Sequence, residues 1–567
     1  MKRTIILAAA ICLGSLSLRA QTVDPAPLRF GGLTYNRDLM MAWDFSDLSR
    51  PQLFGTARAT GMGGAFVSLG ADMTSMSLNP AGLGMYQRSE FSLTPLVGLS
   101  RAETPGTDAW SSNSKNRFTL ANIGAAINVY QNASGALTSI TIGFGMNRVA
   151  DFNTRYSYSS EARYDAPAGP RPASIADLFA RQFQQNGVFP DRKSESDPNG
   201  TLAFRNPYYW PAVLGYKSAM VYVDPATGQW SRDAIGANAS ILRSVDVVNT
   251  GSINEFDLAF GANINNIVYV GATLGIQSVY KRSEVVYGED YGYFDHPGGL
   301  ACGSDGALRP AQLEYADLWQ QTTVEGSGVN FKLGVIVRPV AGLRLGMAFH
   351  TPTFYSLNRT YRTGLDYLLL SNQGGSDTEG RIESPDQYDE GSNAWEFVSP
   401  SRLMFGASYT FGKAAILSVD YERDWYNGIR VKNVPAGADF SPADYKADFK
   451  SNFCASNVLR AGLEVRPLPI FALRAGVGYT SSMLRDESLA YEVPQTTESH
   501  YFTAGAGVNL SRSVTLDFAY QYLSEKQSQY RLFYGYDEAA GRFEYDSGLF
   551  DTSLKRHFVT MTFGVRF

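Results

Sequence analysis

The sequence predicts an all-β fold: a 14-stranded antiparallel transmembrane β-barrel. Three observations predict it: an export signal at the start, alternating apolar and polar segments joined by very short turns, and a final strand that ends on Phe567. Such barrels look polar overall, because each strand turns only alternate residues to lipid, and they are rich in aromatic side chains. The composition agrees, with 33 Tyr and 33 Phe in 567 residues.

Residues 1–20 have the features of a secretory signal peptide. Lys2 and Arg3 give a positive start, residues 4–18 are mainly apolar, and Ala20 offers a small residue for cleavage. The stretch is too short for a transmembrane helix, and no later run of about twenty apolar residues follows it. We therefore expect an exported chain that crosses no membrane by helices.

The charge balance excludes one large class of partner. The chain has 49 basic and 54 acidic residues, a formal net charge of −5. A nucleic-acid-binding protein usually carries a basic surface, so nucleic acid is not an expected partner.

The last eleven residues, His557–Phe567, alternate at a strict period of two, which is the side-chain repeat of a β-strand. The larger apolar side chains share one face: Val559, Met561, Phe563, Val565 and Phe567. Thr560 and Thr562 lie on the other face. This pattern predicts a strand that is apolar towards lipid and polar towards a lumen.

Six pairs of alternating segments precede it, each joined by a turn rich in Gly, Pro, Asn or Ser, as in β-hairpins. The pairs are 118–130 with 136–149, 256–264 with 267–280, 331–337 with 343–349, 403–411 with 415–425, 459–465 with 471–479, and 502–510 with 514–522. Arg88–Ser100 adds a strand before them and His557–Phe567 one after, which makes fourteen. The barrel is thus predicted over 88–567, with short turns in the periplasm and long links outside.

The segment 55–87 does not alternate and is rich in Gly, Ala, Ser and Met. It contains Ala57-Arg58-Ala59, then Gly61-Met62-Gly63-Gly64, and Asn79-Pro80-Ala81. These motifs resemble the N-terminal hatch of the FadL/TodX family, outer-membrane transporters of long-chain fatty acids and aromatic hydrocarbons.

The resemblance implies a function as well as a fold. It implies that Gly61, Gly63, Gly64, Asn79, Pro80 and Ala81 belong to a hatch that gates the barrel. It also implies that hydrophobic ligands are captured at outer loops and released sideways into the bilayer at a kinked strand. Residues 21–54 depart from the family pattern, and we expect this N-terminal extension either to fill the lumen or to cap the periplasmic mouth.

Two further groups of residues are candidates for the ligand path. Gly143 and Gly145 lie within a predicted strand, where glycine can mark a bend, so they are candidates for the strand kink; close packing against the hatch is the alternative. Leu178, Phe179 and Phe183 recur at helical spacing in a long link. They are candidates for an outer ligand groove, with simple packing among the loops as the alternative.

We expect no enzyme, no metal and no cofactor, because the four histidines accompany no nucleophile motif and no Cys/His cluster has metal-ligand spacing. The expected function is passive uptake of hydrophobic small molecules at the outer membrane of a Gram-negative bacterium. Expected partners are that ligand, outer-membrane lipid and the barrel-assembly machinery. Two alternatives are haem uptake, with His350 as a candidate ligand, and a barrel that scaffolds a protein complex through its loops.

Overall fold

The computed structural model describes residues 29–32, 40–104, 111–132, 134–162, 172–186, 209–223, 228–232, 235, 240–291, 300–302, 308–371, 377–384, 394–435, 440–486, 495–537 and 540–567. The predicted signal peptide, residues 1–20, lies outside them. Fourteen strands form the barrel: β1 (Glu90–Thr104), β2 (Ser111–Gln131), β3 (Leu137–Asp151), β4 (Ile241–Ile264), β5 (Val268–Asp290), β6 (Leu308–Val337), β7 (Leu343–His350), β8 (Arg402–Phe411), β9 (Ala415–Trp425), β10 (Ala455–Leu468), β11 (Phe471–Thr480), β12 (Thr496–Asn509), β13 (Val514–Gln527) and β14 (Ser553–Arg566).

The sheet closes on itself. Each strand pairs antiparallel with the next, and β14 returns to β1, where Val565 lies opposite Phe91. Closure removes the unpaired edges that an open sheet exposes. The predicted 14-stranded antiparallel barrel is therefore confirmed, and every predicted strand is present.

The outer face of the barrel is apolar and the inner face is polar. On β14, Val559, Met561 and Phe563 are exposed, whereas Thr560 and Thr562 between them are buried. The exposed side chains of the other strands include Phe144, Leu258, Leu333, Phe405, Leu417, Leu459, Val477 and Phe518. This is the alternation of a barrel that meets lipid on its outside.

Several strands run far beyond the predicted ends. β6 begins at Leu308 and not near Phe331, and three segments prolong the wall on the side of the long links: Thr154–Ala162 after β3, Phe354–Ser371 after β7 and Ala394–Val398 before β8. The predicted links 150–250, 285–315 and 363–398 were therefore too long. Beyond the lipid both faces of a strand are polar or mixed, as in Gln320-Gln321-Thr322-Thr323, so the alternation that marks a strand disappears.

Helices and short strands accompany the barrel strands. Most of them form a cap at the end of the long links, which we take as the outer end. The helices are α1 (Ala42–Leu48), α2 (Ala57–Gly61), α3 (Ile175–Asn186), α4 (Trp210–Lys217) and α5 (Pro442–Asn452), with 3₁₀ turns at Met73–Met76, Pro80–Met85 and Tyr426–Gly428. The short strands are Arg29–Gly32, Tyr222–Val223, Trp230–Ser231, Leu300–Cys302, Thr378–Glu383, Arg430–Asn433, Phe533–Asp537 and Arg542–Asp546. Of these elements, α1, α2 and two 3₁₀ turns lie within the barrel.

No helix in the described part of the chain is long and apolar enough to cross a membrane.

Candidate functional site

The hatch, residues 55–87, lies inside the barrel and contacts walls on opposite sides. Its helix α2 packs on β11, β12, β13 and β14, and its second 3₁₀ turn, Pro80–Met85, packs on β4, β5 and β6. A segment that touches both sides of the ring obstructs the path along the barrel axis. The family resemblance implies that this segment is an N-terminal hatch that plugs the lumen, and that role stays a prediction.

Small residues on both partners allow the hatch backbone to touch the wall. A Cβ atom at Gly63 would lie 3.0 Å from the Val477 nitrogen, and Gly63 also has a φ of +63° that favours glycine. A Cβ atom at Gly61 would lie 3.3 Å from the Gly505 Cα atom. The wall also donates hydrogen bonds: Tyr501 Oη to the Gly63 carbonyl at 2.8 Å, and Thr503 to Gly61 at 3.1 Å. Gly64, with a φ of +69°, completes this turn.

Asn79 joins three backbone segments. Its side-chain amide is fully buried and donates to the Val67 carbonyl at 2.6 Å, with longer contacts to the carbonyls of Val335 on β6 and Met347 on β7. Its oxygen accepts from the Ala81 N–H at 3.1 Å and so caps the turn that begins at Pro80. The Asn79-Pro80-Ala81 motif thus ties the hatch to itself and to the wall.

The wall glycines opposite this motif have no space for a side chain. A Cβ atom at Gly334 would overlap the Asn79 oxygen, and one at Gly271 would lie 2.3 Å from the Pro80 carbonyl carbon. Sequence reasoning identified neither glycine as part of the site.

Replacing Asn79 by alanine should loosen the hatch without opening the barrel. The change leaves buried backbone groups such as the Val67 carbonyl unpaired, which costs about 1 to 3 kcal/mol. Hydrogen exchange of residues 55–87 should therefore speed up, while exchange in β10–β13 stays slow. Ser77→Ala is the matched control, because the Ser77 hydroxyl bonds only to Thr74 within the hatch. Equal exchange rates in the two variants would contradict the anchoring role of Asn79.

Charged groups on the inner wall also hold the hatch. The Asp420 carboxylate accepts from the Val67 N–H at 2.8 Å, and Arg58 pairs with Glu464 at 3.3 Å. The ring nitrogen Nε2 of His350 lies 2.9 Å from the Leu78 carbonyl. His350 is therefore occupied by the hatch, which weakens its candidacy as a haem ligand. No group of three or more His, Cys, Asp or Glu side chains in the described residues has the geometry to hold a metal.

Residues 40–54 of the N-terminal extension fill the outer half of the lumen, whereas Arg29–Gly32 pairs with Phe533–Asp537 in the outer cap. Phe45 of α1 packs against Trp395, Phe397 and Tyr445, with ring centroids 5.0 to 5.8 Å apart. Ion pairs join the same helix to the wall, Asp47 with Lys281 at 2.5 Å and Asp44 with Arg359 at 3.4 Å. Of the two predicted positions for this extension, filling the lumen is the one observed for these residues, since α1 lies towards the outer end.

A cavity of about 140 Å³ lies between α1 and the wall. Its apolar lining includes Met40, Trp43, Leu48, Phe152, Val324, Met483 and Leu554, and its charged lining includes Asp44, Asp47, Arg50, Lys281, Arg359 and Arg556. An engineered cavity of about 150 Å³ holds a benzene molecule, so this space has room for one aromatic ring or a short length of alkyl chain. The charged side chains belong to ion pairs, and the lining also includes the neutral polar side chains of Gln52, Thr154, Asn249, Ser283, Thr322, Gln495, Thr496 and Gln527. A ligand in this cavity therefore meets apolar side chains on part of its surface and polar ones on the rest.

The wall beside this cavity has a seam without backbone pairing. The ladder between β2 and β3 ends at Asn122 and Asn147, and beyond it no ladder pair joins residues 111–121 to residues 148–162. β3 itself is interrupted at Phe152. The two sides of the barrel at this seam are therefore joined by side chains and not by a β-ladder.

Side-chain hydrogen bonds close the seam, and one of them runs from Arg148 to the Thr119 hydroxyl at 2.5 Å. Arg117 donates to the Asn153 side chain at 2.7 Å, Arg148 donates to the Leu120 carbonyl at 3.1 Å, and Ser100 donates to the Asn153 carbonyl at 3.0 Å. A cavity of about 10 Å³, room for one water, lies among them. Arg556 lines both this space and the larger cavity, so the two are neighbours.

The candidate kink glycines are not at this interruption. Pairing is regular through Gly143 and Gly145, and a Cβ atom on either would lie within 2.7 Å of the Met76 side chain of the hatch. In this structure they provide close packing, and the strand is interrupted after Asp151 instead.

The candidate groove residues are buried. Helix α3 was predicted from its periodicity and is present, but Leu178, Phe179 and Phe183 are at most 2% exposed. Phe183 stacks on Trp230 at 4.4 Å, and Phe179 packs on Gly215 of α4. These side chains form the core of the outer cap, so they do not line an open groove in this structure.

No family model and no curated protein sequence matches the chain. Solved structures do match. A Pseudomonas aeruginosa FadL homologue is 10% identical, with 91% of this chain and 99% of that chain covered and a TM-score of 0.49. The Pseudomonas putida toluene transporter TodX is 11% identical, with 91% and 99% covered and a TM-score of 0.47. The Ralstonia pickettii toluene transporter TbuX is 14% identical, with 92% and 100% covered and a TM-score of 0.43.

The chain is similar to FadL-type channels. The sequence motifs of residues 55–87 also resemble those of the FadL/TodX family. At such low identity the likeness concerns the fold, and the assignment of the fold rests on the closed strand pairing described above.

Proposed function

We propose that the protein is an outer-membrane channel for passive uptake of hydrophobic small molecules. The observation that carries the proposal is the cavity beside α1 together with its neighbouring unpaired seam. A ligand in this cavity has the hatch below it and lipid on the other side of the seam. Lateral movement keeps an apolar molecule away from water, which otherwise costs about 0.8 kcal/mol for every exposed CH₂ group.

The geometry favours lateral release over passage along the axis. Release through the seam requires side-chain hydrogen bonds to break, among them those of Ser100, Arg117 and Arg148. Axial passage requires the hatch to leave its many buried contacts with the wall. Each hydrogen bond contributes about 0.5 to 1.5 kcal/mol net, because its donor and acceptor can bond to water when it breaks. Thermal motion can therefore open the seam. Gating by the hatch, including Gly61, Gly63, Gly64 and Asn79-Pro80-Ala81, remains part of the proposal as the barrier against polar solutes.

The volume of the cavity beside α1 also indicates the size of the ligand. This volume suits a monoaromatic hydrocarbon or the end of an acyl chain. Two of the similar structures are toluene transporters, which agrees with this size. Gram-negative cells that lack their own hydrophobic-uptake channel should gain faster entry of radiolabelled toluene when they express this protein. Sucrose entry should not change. Equal toluene entry with and without the protein would contradict the proposal.

The two alternatives have distinct tests. A haem receptor would show absorption near the Soret band after incubation with hemin. A scaffold would co-purify with a protein in fixed proportion through the outer cap.

A further inference from the structure

One face of the outer cap carries a groove of about 560 Å³ that the uptake function does not use. It lies between the segment 427–432 and helix α5. Four cationic side chains line it, all exposed: Arg430, Lys432, Lys446 and Lys450. The groove lining includes no acidic residue. In a chain with a net charge of −5, such a concentration of positive charge is local and specific.

None of these four cations forms an ion pair with a described residue. The nearby acidic side chains have other roles or positions. Asp444 caps α5 by accepting from the Ser441 N–H at 2.8 Å, and Asp448 accepts a hydrogen bond from Asn452. Burial raises the pKa of the Asp448 carboxyl, and the hydrogen bond from Asn452 acts in the opposite direction. Glu396 is exposed on a neighbouring strand and is not part of the groove lining.

The groove opens on the lipid side of the cap. Val431 is buried with the aromatic cluster around Phe397, so its neighbours Arg430 and Lys432 point to the opposite side of the strand. On α5, Tyr445 and Phe449 face Phe45 in the lumen. Lys446 and Lys450, one helical turn apart, lie together on another face and line the groove.

The height of the groove matches the polar layer of the membrane. On β9, Leu417 and Val419 are exposed apolar side chains, and Arg423 is the first exposed cation on that face. A rise of about 3.3 Å per residue and a tilt of about 40° place Trp425 about 10 Å beyond Tyr421. The groove begins two residues later, at Asn427, where phosphates and sugars of the outer leaflet lie.

We propose that this groove binds the phosphate groups of an outer-leaflet lipid of the lipid A type. The proposal rests on the outer-membrane location given under the proposed function. Four cations that have no ion pair among the described residues form charge-assisted hydrogen bonds to the phosphates of an anionic lipid headgroup. A lipid held there stays against the barrel and packs its acyl chains on exposed apolar side chains in the outer half of the wall, including Leu459 of β10.

Binding of lipid A to the purified full-length protein tests the proposal. Native mass spectrometry in detergent, with diphosphoryl lipid A as the probe, gives the affinity. The K446Q/K450Q variant should bind on the order of thirtyfold more weakly, because each cation near an anionic lipid surface contributes roughly fivefold. The control K413Q/R512Q removes two exposed cations from short turns at the other end of the barrel and should bind as the unmodified protein does.

Two additional binding measurements test whether the groove recognises the phosphates of the lipid. Lipid A from which the phosphates have been removed should bind weakly and equally to all three proteins. Inorganic phosphate at millimolar concentration should not displace diphosphoryl lipid A. Equal binding of diphosphoryl lipid A to K446Q/K450Q and the control would overturn the proposal, and so would displacement by inorganic phosphate. Toluene entry is unaffected by these substitutions, so failure here is distinguishable from failure of the uptake function.

Discussion

Deleting residues 40–83 should convert the barrel into an open pore. The deletion removes α1 and nearly all of the hatch, which together fill the lumen, while the closed ladder from β1 to β14 keeps every barrel strand paired. Planar bilayers should then show stable ion conductance that the complete protein lacks. In the opened pore Asp420 loses the Val67 N–H and faces water, whereas Glu464 keeps its ion pairs with Arg466 and Arg474.

The control for this deletion is the folded state of the barrel. Retained β-sheet circular dichroism and heat-dependent mobility on gels would show that the wall survives. A folded barrel with the low conductance of the complete protein would contradict the plug. Asn79→Ala offers a milder comparison, because it should give only brief openings while the hatch remains in place.

Filling the seam should abolish hydrophobic uptake. Ser100 is 7% exposed and lines the small cavity with Arg117 and Asn153. In Ser100→Trp the indole ring is far larger than that space, so it displaces neighbouring side chains and extends into the adjoining gap between β2 and the segment after β3. Toluene entry into expressing cells should fall to the level of cells without the protein, because the lateral path is obstructed while the outer cap and hatch are unchanged.

Ser100→Ala separates steric blockage from the loss of a hydrogen bond. It removes the bond to the Asn153 carbonyl without filling the cavity, so entry should be equal to or faster than that of the unmodified protein. Both variants must show the same heat-dependent gel mobility as the unmodified protein. Undiminished toluene entry in a folded Ser100→Trp protein would rule out release at this seam.

The membrane-spanning part of the fold was readable from the sequence because one physical constraint acts on every residue there. A strand between lipid and a polar lumen must alternate, as Val514–Gln527 and Ala415–Trp425 do, and short turns mark the ends. Above the membrane this constraint ends. The long outer parts of β6 and the segment Phe354–Ser371 were missed for that reason.

The site was only partly readable. The hatch motif gave Asn79 and the hatch glycines, because backbone contact with a wall demands small residues in recognisable places. It did not give their partners Gly271 and Gly334, since many wall glycines have the same local sequence context. The strand is interrupted at Phe152 and not at Gly143 or Gly145, the two candidates for the kink. Glycine in a strand serves equally for bending and for close packing, so the sequence did not distinguish the two roles.

The sequence by itself determined that the chain forms a barrel of fourteen strands, which of its faces meets lipid, and which segment follows the family pattern of a hatch. Those features arise from local periodicity and from short motifs, which a linear chain displays directly. The tertiary structure decided where the wall lacks pairing, which cavity lies beside that gap, and that α1 fills the outer lumen. These depend on which distant residues meet, such as Ser100 with Asn153 and Phe45 with Trp395, and no local pattern encodes such encounters.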